Sequence, residues 1–138
     1  MHSFSVDYYL TVFVAAIGVI QMAASLKGFK GLLIVKSPLL ARSIGLILAV
    51  MAFVWFFASA PRNINDFEGG LDANDQALYL FLGVLTAVVS TLLVSSAVNV
   101  RLRDGDLAPD EGLDALKHTN YVQALSQSIR YWWKEWNT

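Results

Sequence analysis

Few side chains of this chain could carry out chemistry. The sequence contains no cysteine and two histidines, His2 and His118, so thiol catalysis, thiolate metal sites and iron–sulfur clusters are excluded. Neither histidine lies in a long apolar stretch, where a haem ligand inside a helix bundle would have to lie. The hydroxyl residues between Ser90 and Ser96 have no accompanying base, and in a membrane helix such groups usually bond to the backbone or to a neighbouring helix. We therefore expect no catalytic residue, no cofactor site and no enzyme activity.

Carboxylates are equally poorly placed for chemistry. Residues 61–75 are rich in Asp and Asn, but they do not follow the EF-hand loop pattern, so we expect a solvated acidic loop and no metal site. A proton or ion pathway needs ionisable groups within the membrane. Asp7 and Arg42 lie only at the ends of apolar stretches, which disfavours a proton pump or an ion-coupled transporter.

The charged residues are separated by three long gaps. No Asp, Glu, Lys or Arg occurs from Tyr8 to Leu26, from Ser43 to Pro61 or from Gln76 to Val100. Roughly 20 helical residues cross a hydrocarbon core about 30 Å thick. The chain is also 56% hydrophobic and 15% charged, against about 45–50% and about 25% in soluble domains. We predict an all-α integral membrane domain over residues 1–100, with transmembrane helices near 7–26, 39–60 and 77–100.

The basic residues predict the topology. All Lys and Arg residues except Arg62 fall in the first loop, at the start of the second span or after the third span. Because basic loops stay on the cytoplasmic side, we predict an outside N-terminus and a cytoplasmic C-terminus, in a prokaryotic inner or plasma membrane. The topology residues are Lys27, Lys30, Lys36, Arg42, Arg101 and Arg103.

Small residues recur at four-residue spacing in the spans, which lets helices in lipid pack closely. We expect these stripes to form helix-packing faces, either within the chain or with a partner. In the third span the stripe is Gly83, Ala87, Thr91, Ser95 and Asn99, and in the second span it is Ala41, Gly45 and Ala49. In the first span Thr11, Ala15 and Gly18 have similar spacing, but common Ala and Gly usage explains them equally well.

The first loop, 27–38, contains an apolar run from Leu32 to Val35 that is too short to span a membrane. We expect this run to lie in the inner interface or to dock on a partner. Gly28 should help to end the first helix, and Pro38 suits the first turn of the second helix. Asp75 is our predicted N-cap of the third helix.

A linker at 101–112 leads to the most strongly patterned segment, 113–138, for which we predict one amphipathic helix on the cytoplasmic side. At 100° per residue its apolar side chains fall within an arc of about 120°, and polar residues, including Asn120, lie opposite. The face consists of Tyr121, Val122, Leu125, Ile129, Trp132, Trp133 and Trp136. A Trp-rich apolar face fits either the membrane surface or a groove in a partner protein, and the sequence leaves both open.

These patterns favour a non-catalytic accessory subunit of a larger membrane protein complex, which contributes helix packing and assembly. Its expected partners are membrane lipids and larger membrane subunits in a hetero-oligomer. The net charge of −1 gives no reason to expect nucleic acid. Two alternatives remain: a self-assembling, holin-like pore lined by the third span, and a membrane anchor whose C-terminal helix recruits a cytoplasmic enzyme.

Overall fold

The computed structural model of the chain describes residues 4–58, 71–100 and 112–136. These ranges form four α-helices and two 3₁₀ segments and contain no strand. The α-helices are α1 (Phe4–Lys27), α2 (Pro38–Ala58), α3 (Ala73–Val98) and α4 (Tyr121–Trp136), and the 3₁₀ segments are Lys30–Leu32 and Gly112–Lys117. The predicted all-α fold is confirmed: three helices are long and apolar enough to cross a membrane, and a C-terminal helix carries exposed Trp residues.

The three spanning helices have 24, 21 and 26 residues. At about 1.5 Å per residue, each exceeds the thickness of about 30 Å of the hydrocarbon core. Each begins slightly before its predicted start, because polar first turns are tolerated where the helix leaves the apolar core. Pro38 is the first residue of α2, as predicted. The prediction that Asp75 caps α3 is wrong: the cap is Asp72, whose carboxylate accepts the Asp75 N–H at 2.8 Å.

The central helix of the bundle is α1. It packs against both α2 and α3, whereas contacts between α2 and α3 are few or none among the described residues. The α1–α2 crossing lies at Gly18 and Gly45, where the two backbones touch. The α1–α3 contact lies at Gly83, which sits against Val12. Because glycine has no Cβ, each crossing brings a backbone within direct van der Waals contact of the neighbouring helix.

Aromatic side chains pack the N-terminal end of α1 against the C-terminal end of α2. Phe56 is buried, with its ring centroid 5.8 Å from that of Phe4 and 6.2 Å from that of Tyr8. Phe57 meets Phe56 edge-on at 5.4 Å. Tilted and edge-to-face arrangements at these distances are the favoured geometries of aromatic pairs, so this cluster helps to hold α2 antiparallel to α1.

The C-terminal segment differs from the single helix predicted over 113–138. The α-helix begins only at Tyr121, after the 3₁₀ segment Gly112–Lys117 and an irregular stretch at 118–120. Asn120 causes the break, because its Oδ1 accepts the Gln123 N–H at 2.9 Å and so acts as an N-cap. Nearly all of the predicted linker, 101–112, lies outside the described residues.

Candidate functional site

Buried polar side chains concentrate at the end of the bundle where α1 and α3 finish and α2 begins. Gln21, Ser25, Asn99 and Asn120 are each no more than 6% exposed there. We call these four side chains, with the loop backbone they bind, the polar junction. A buried amide or hydroxyl is costly unless it is hydrogen-bonded, so the partners of these groups show what the site is built to hold.

Gln21 binds the first loop with both ends of its amide. Its Nε2 donates to the Leu32 carbonyl at 3.1 Å, and its Oε1 accepts the Ile34 N–H at 2.9 Å. One turn further along α1, the Ser25 hydroxyl donates to the Pro38 carbonyl at 2.5 Å. The backbone groups of a loop that turns back into the bundle are thus satisfied by side chains of α1.

The loop held in this way carries an apolar plug. Leu33 is 1% exposed and packs in a cluster with Ala24 and Ala41, flanked by Phe29, Leu32 and Val35. We predicted that the run from Leu32 to Val35 lies in the membrane interface or docks on a partner. The structure shows a contact that the sequence did not predict: Leu33 fills the end of its own bundle, because the small residues at Ala24 and Ala41 leave room for it.

Asn99 connects α3 to the same loop. It is the C-cap residue of α3, and its Nδ2 donates to the Leu33 carbonyl at 2.7 Å. The Asn99 carbonyl in turn accepts a hydrogen bond of 3.3 Å from Asn120 Nδ2. Since Asn120 also caps α4, a continuous set of neutral amides joins α1, the loop, α3 and α4.

A second contact fixes the chain just before α4. A Cβ placed on Gly31 would collide with the Thr119 carbonyl oxygen, and Leu116 O lies 3.0 Å from the same point. Leu116 is itself 4% exposed. The 3₁₀ segment Gly112–Lys117 therefore packs directly on the loop, and the ion pair of Lys117 Nζ with Asp114 Oδ1, at 2.7 Å, lies on its exposed side.

The end of α1 follows from a left-handed glycine. Gly28 has φ of 73°, and the Phe29 N–H donates back to the Ala24 carbonyl at 2.9 Å. This is the Schellman pattern that satisfies the last carbonyls of a helix. It turns the chain directly from α1 into the loop that Gln21 holds.

Nearly all residues predicted to form helix-packing stripes are buried within the chain. In α3, Gly83, Ala87, Thr91, Ser95 and Asn99 are all buried within the chain. In α2, Ala41 and Gly45 are buried and Ala49 is half-buried. The α1 set of Thr11, Ala15 and Gly18 is buried too, although its spacing alone did not separate it from ordinary composition.

The predicted face of α4 has no cover in the described part of the chain. Tyr121 is half-buried next to the polar junction. Trp132, Trp133 and Trp136 are 70%, 72% and 88% exposed, and Val122, Leu125 and Ile129 are exposed as well. The three indoles and Ile129 line a shallow apolar groove along the helix.

The basic residues that predict the topology lie at one end of the bundle where the structure describes them. Lys27, Lys30, Lys36 and Arg42 are all exposed around the polar junction. Arg101 and Arg103 lie outside the described residues. Basic side chains thus surround the same end of the bundle from which α4 starts.

Sequence reasoning assigned Asn99 to a helix-packing stripe and Asn120 to the polar face of the C-terminal helix, and it gave Gln21 and Ser25 no role. The signal for Asn120 was present, since Asn is a favoured N-cap residue directly before an apolar periodic run. By sequence, Asp7 lies at the end of the first apolar stretch. In the structure its side chain is buried between helices, 2% exposed, and its backbone carbonyl accepts the Thr11 hydroxyl at 2.8 Å.

The polar junction consists of amides and a hydroxyl, which neither titrate near neutral pH nor act as nucleophiles without a base. Among the described residues no group of His, Cys, Asp or Glu is arranged to hold a metal ion. The fold and site define a membrane-embedded, all-helical protein with three spans and an amphipathic fourth helix. No protein-family model matches the chain, and comparisons with curated proteins and with solved structures find no match.

Proposed function

We propose that this protein is a non-catalytic accessory subunit of a larger membrane protein complex, in which it contributes helix packing and assembly. One observation carries the proposal: the buried amides of the polar junction bind the chain's own backbone. Gln21, Asn99 and Asn120 each donate to a carbonyl of the same chain. Side chains used in this way stabilise the fold and leave no polar group of theirs aimed at a substrate.

The outward surfaces of α2 and α3 support a role beside other membrane proteins. Because both helices pack on α1 rather than on each other, each keeps a long apolar face outward. Ile47 on α2 and Val89 on α3 lie in the middle of these faces, 58% and 46% exposed. Such faces suit lipid on one side and a larger subunit on the other. We place the polar junction and the basic residues around it on the cytoplasmic side, following the distribution of Lys and Arg.

The pore alternative has less support. A lumen would have to be lined by the small and weakly polar stripe of α3, but Gly83, Thr91 and Ser95 are buried inside the single chain. The large residues facing outward on α3 are Leu, Val and Phe, which do not line a water-filled channel.

The test is migration of the protein after gentle extraction from its native membrane. We expect the chain to migrate with other proteins in a species larger than itself. Ile47→Trp and Val89→Trp each add bulk to one outward face and form a matched pair. We expect one of them to release the chain from the complex and the other to leave migration unchanged. Migration of the parent chain as a monomer in every mild detergent would refute the proposal.

A further inference from the structure

The uncovered face of α4 contains three of the four Trp residues of the protein. Trp132, Trp133 and Trp136 project from one side of a 16-residue helix with most of their surface exposed. An indole ring is apolar with one N–H donor, so it is stable where an apolar phase meets a hydrogen-bonding phase. Full exposure of three indoles to water is unfavourable, and the position of α4 indicates what covers them.

The hydrogen bond between Asn120 and Asn99 fixes that position. Asn99 ends α3, the helix that leaves the apolar core at this point, and Asn120 begins α4. The first turn of α4 is therefore at the depth of the lipid headgroups. With 16 residues, α4 is about 24 Å long, too short to cross a core of about 30 Å.

The opposite face of α4 agrees with a helix lying in the membrane plane. Gln127, Arg130 and Lys134 lie about half a turn from the indoles and are exposed. Amide and cationic side chains suit water and phosphate groups, while the indole side suits the boundary between headgroups and acyl chains.

We propose that α4 lies along the membrane surface at the polar junction, with its Trp face inserted among the glycerophospholipids of the protein's own bilayer. The occupant of this face is lipid rather than a partner protein, so the inference stands apart from the proposed function. The chain could prove to be a monomer while α4 still contacts lipid, and it could belong to a larger complex while α4 does not.

The experiment uses two full-length variants, each with a single Trp. In the first, Trp55, Trp133 and Trp136 become Phe, so that Trp132 alone reports. In the second, all four native Trp residues become Phe and Q127W places the reporter on the opposite face. Both are reconstituted in vesicles of phosphatidylcholine and phosphatidylglycerol, with or without phospholipid brominated near the headgroup end of its acyl chains. Far-ultraviolet circular dichroism verifies that both keep the helical content of the parent.

We expect Trp132 to lose emission in brominated vesicles and to resist quenching by aqueous acrylamide. The Trp at position 127 should be quenched by aqueous acrylamide and keep its emission in brominated vesicles. Quenching of Trp132 by acrylamide and not by brominated lipid would overturn the proposal, because α4 would then project into water. Protection of Trp132 from both quenchers would also overturn it, because protein would then cover the face.

Discussion

Replacement of Gly45 by Leu tests whether the contact of α1 with α2 depends on direct backbone approach. A Cβ at position 45 would lie 2.5 Å from the Gly18 carbonyl oxygen and 3.0 Å from the Met22 nitrogen. Ordinary contact begins at 3.4 Å, and both obstacles are backbone atoms that cannot rotate away. The two helices must therefore separate by roughly 1 Å, before the rest of the Leu side chain is placed.

The magnitude follows from two costs and one gain. Overpacking of a tight site costs about 1–3 kcal/mol, and a gap of this size also forfeits about a quarter to a half of the dispersion energy of neighbouring atoms. The better helix propensity of Leu returns at most about 1 kcal/mol. We expect Gly45→Leu to lower the free energy of unfolding by about 2 kcal/mol.

The assay is reversible unfolding in mixed micelles with increasing dodecyl sulfate. The three Trp residues of α4 are replaced by Phe, so that Trp55 on α2 reports separation of the spans. Ala23→Leu is the matched control, because Ala23 is exposed on α1 and the added side chain meets only lipid or detergent. Equal stability of Gly45→Leu and the control would refute the reasoning, since the contact would then tolerate a side chain.

Three further changes address single contacts. Tyr9→Phe removes only the hydroxyl that hydrogen-bonds Thr86 Oγ1 at 2.8 Å. We expect the free energy of unfolding to fall by about 0.6 kcal/mol in the same titration, and a loss above about 1.7 kcal/mol would contradict a simple interhelical hydrogen bond. Gln21→Met keeps the size of the side chain and deletes both hydrogen bonds to the loop, so hydrogen exchange at the Ile34 amide should accelerate; unchanged exchange would show that Gln21 does not hold the loop. Asn120→Ala should cost α4 about 1 kcal/mol through loss of its N-cap, seen as faster exchange in the first turn of α4, and equal protection in the variant would argue against the cap.

The spanning helices were predictable because a membrane span leaves a strong one-dimensional signal. Apolar segments of this length without a charge are typical of membrane helices. Helical periodicity alone also predicted which residues share the Trp-rich face of α4. The helix was nevertheless predicted to begin at Leu113, although the apolar face itself starts only at Tyr121, where α4 begins. A helix-forming composition does not reveal that Asn120 is hydrogen-bonded to Asn99, which ends a different helix.

The polar junction was beyond sequence reasoning for a related reason. A run of four apolar residues after Gly31 has the same composition whether it faces lipid, a partner or its own bundle. Gln21 holds this run in the bundle, because its amide hydrogen-bonds the Leu32 carbonyl and the Ile34 N–H. Such side-chain-to-backbone partners depend on the three-dimensional path of the loop, which no local pattern encodes.

The sequence separation of the junction bonds has a consequence for synthesis of the protein. Gln21 and Ser25 bind partners only 11 to 13 residues away, whereas Asn99 reaches Leu33 across 66 residues. Local bonds close with little loss of chain entropy. The pair of α1 and α2 can therefore close around its plug while α3 is still being made. Once α3 is made, Asn99 can bind the Leu33 carbonyl and complete this end of the bundle. Only then is the Asn99 carbonyl in place to accept the hydrogen bond from Asn120 at the start of α4.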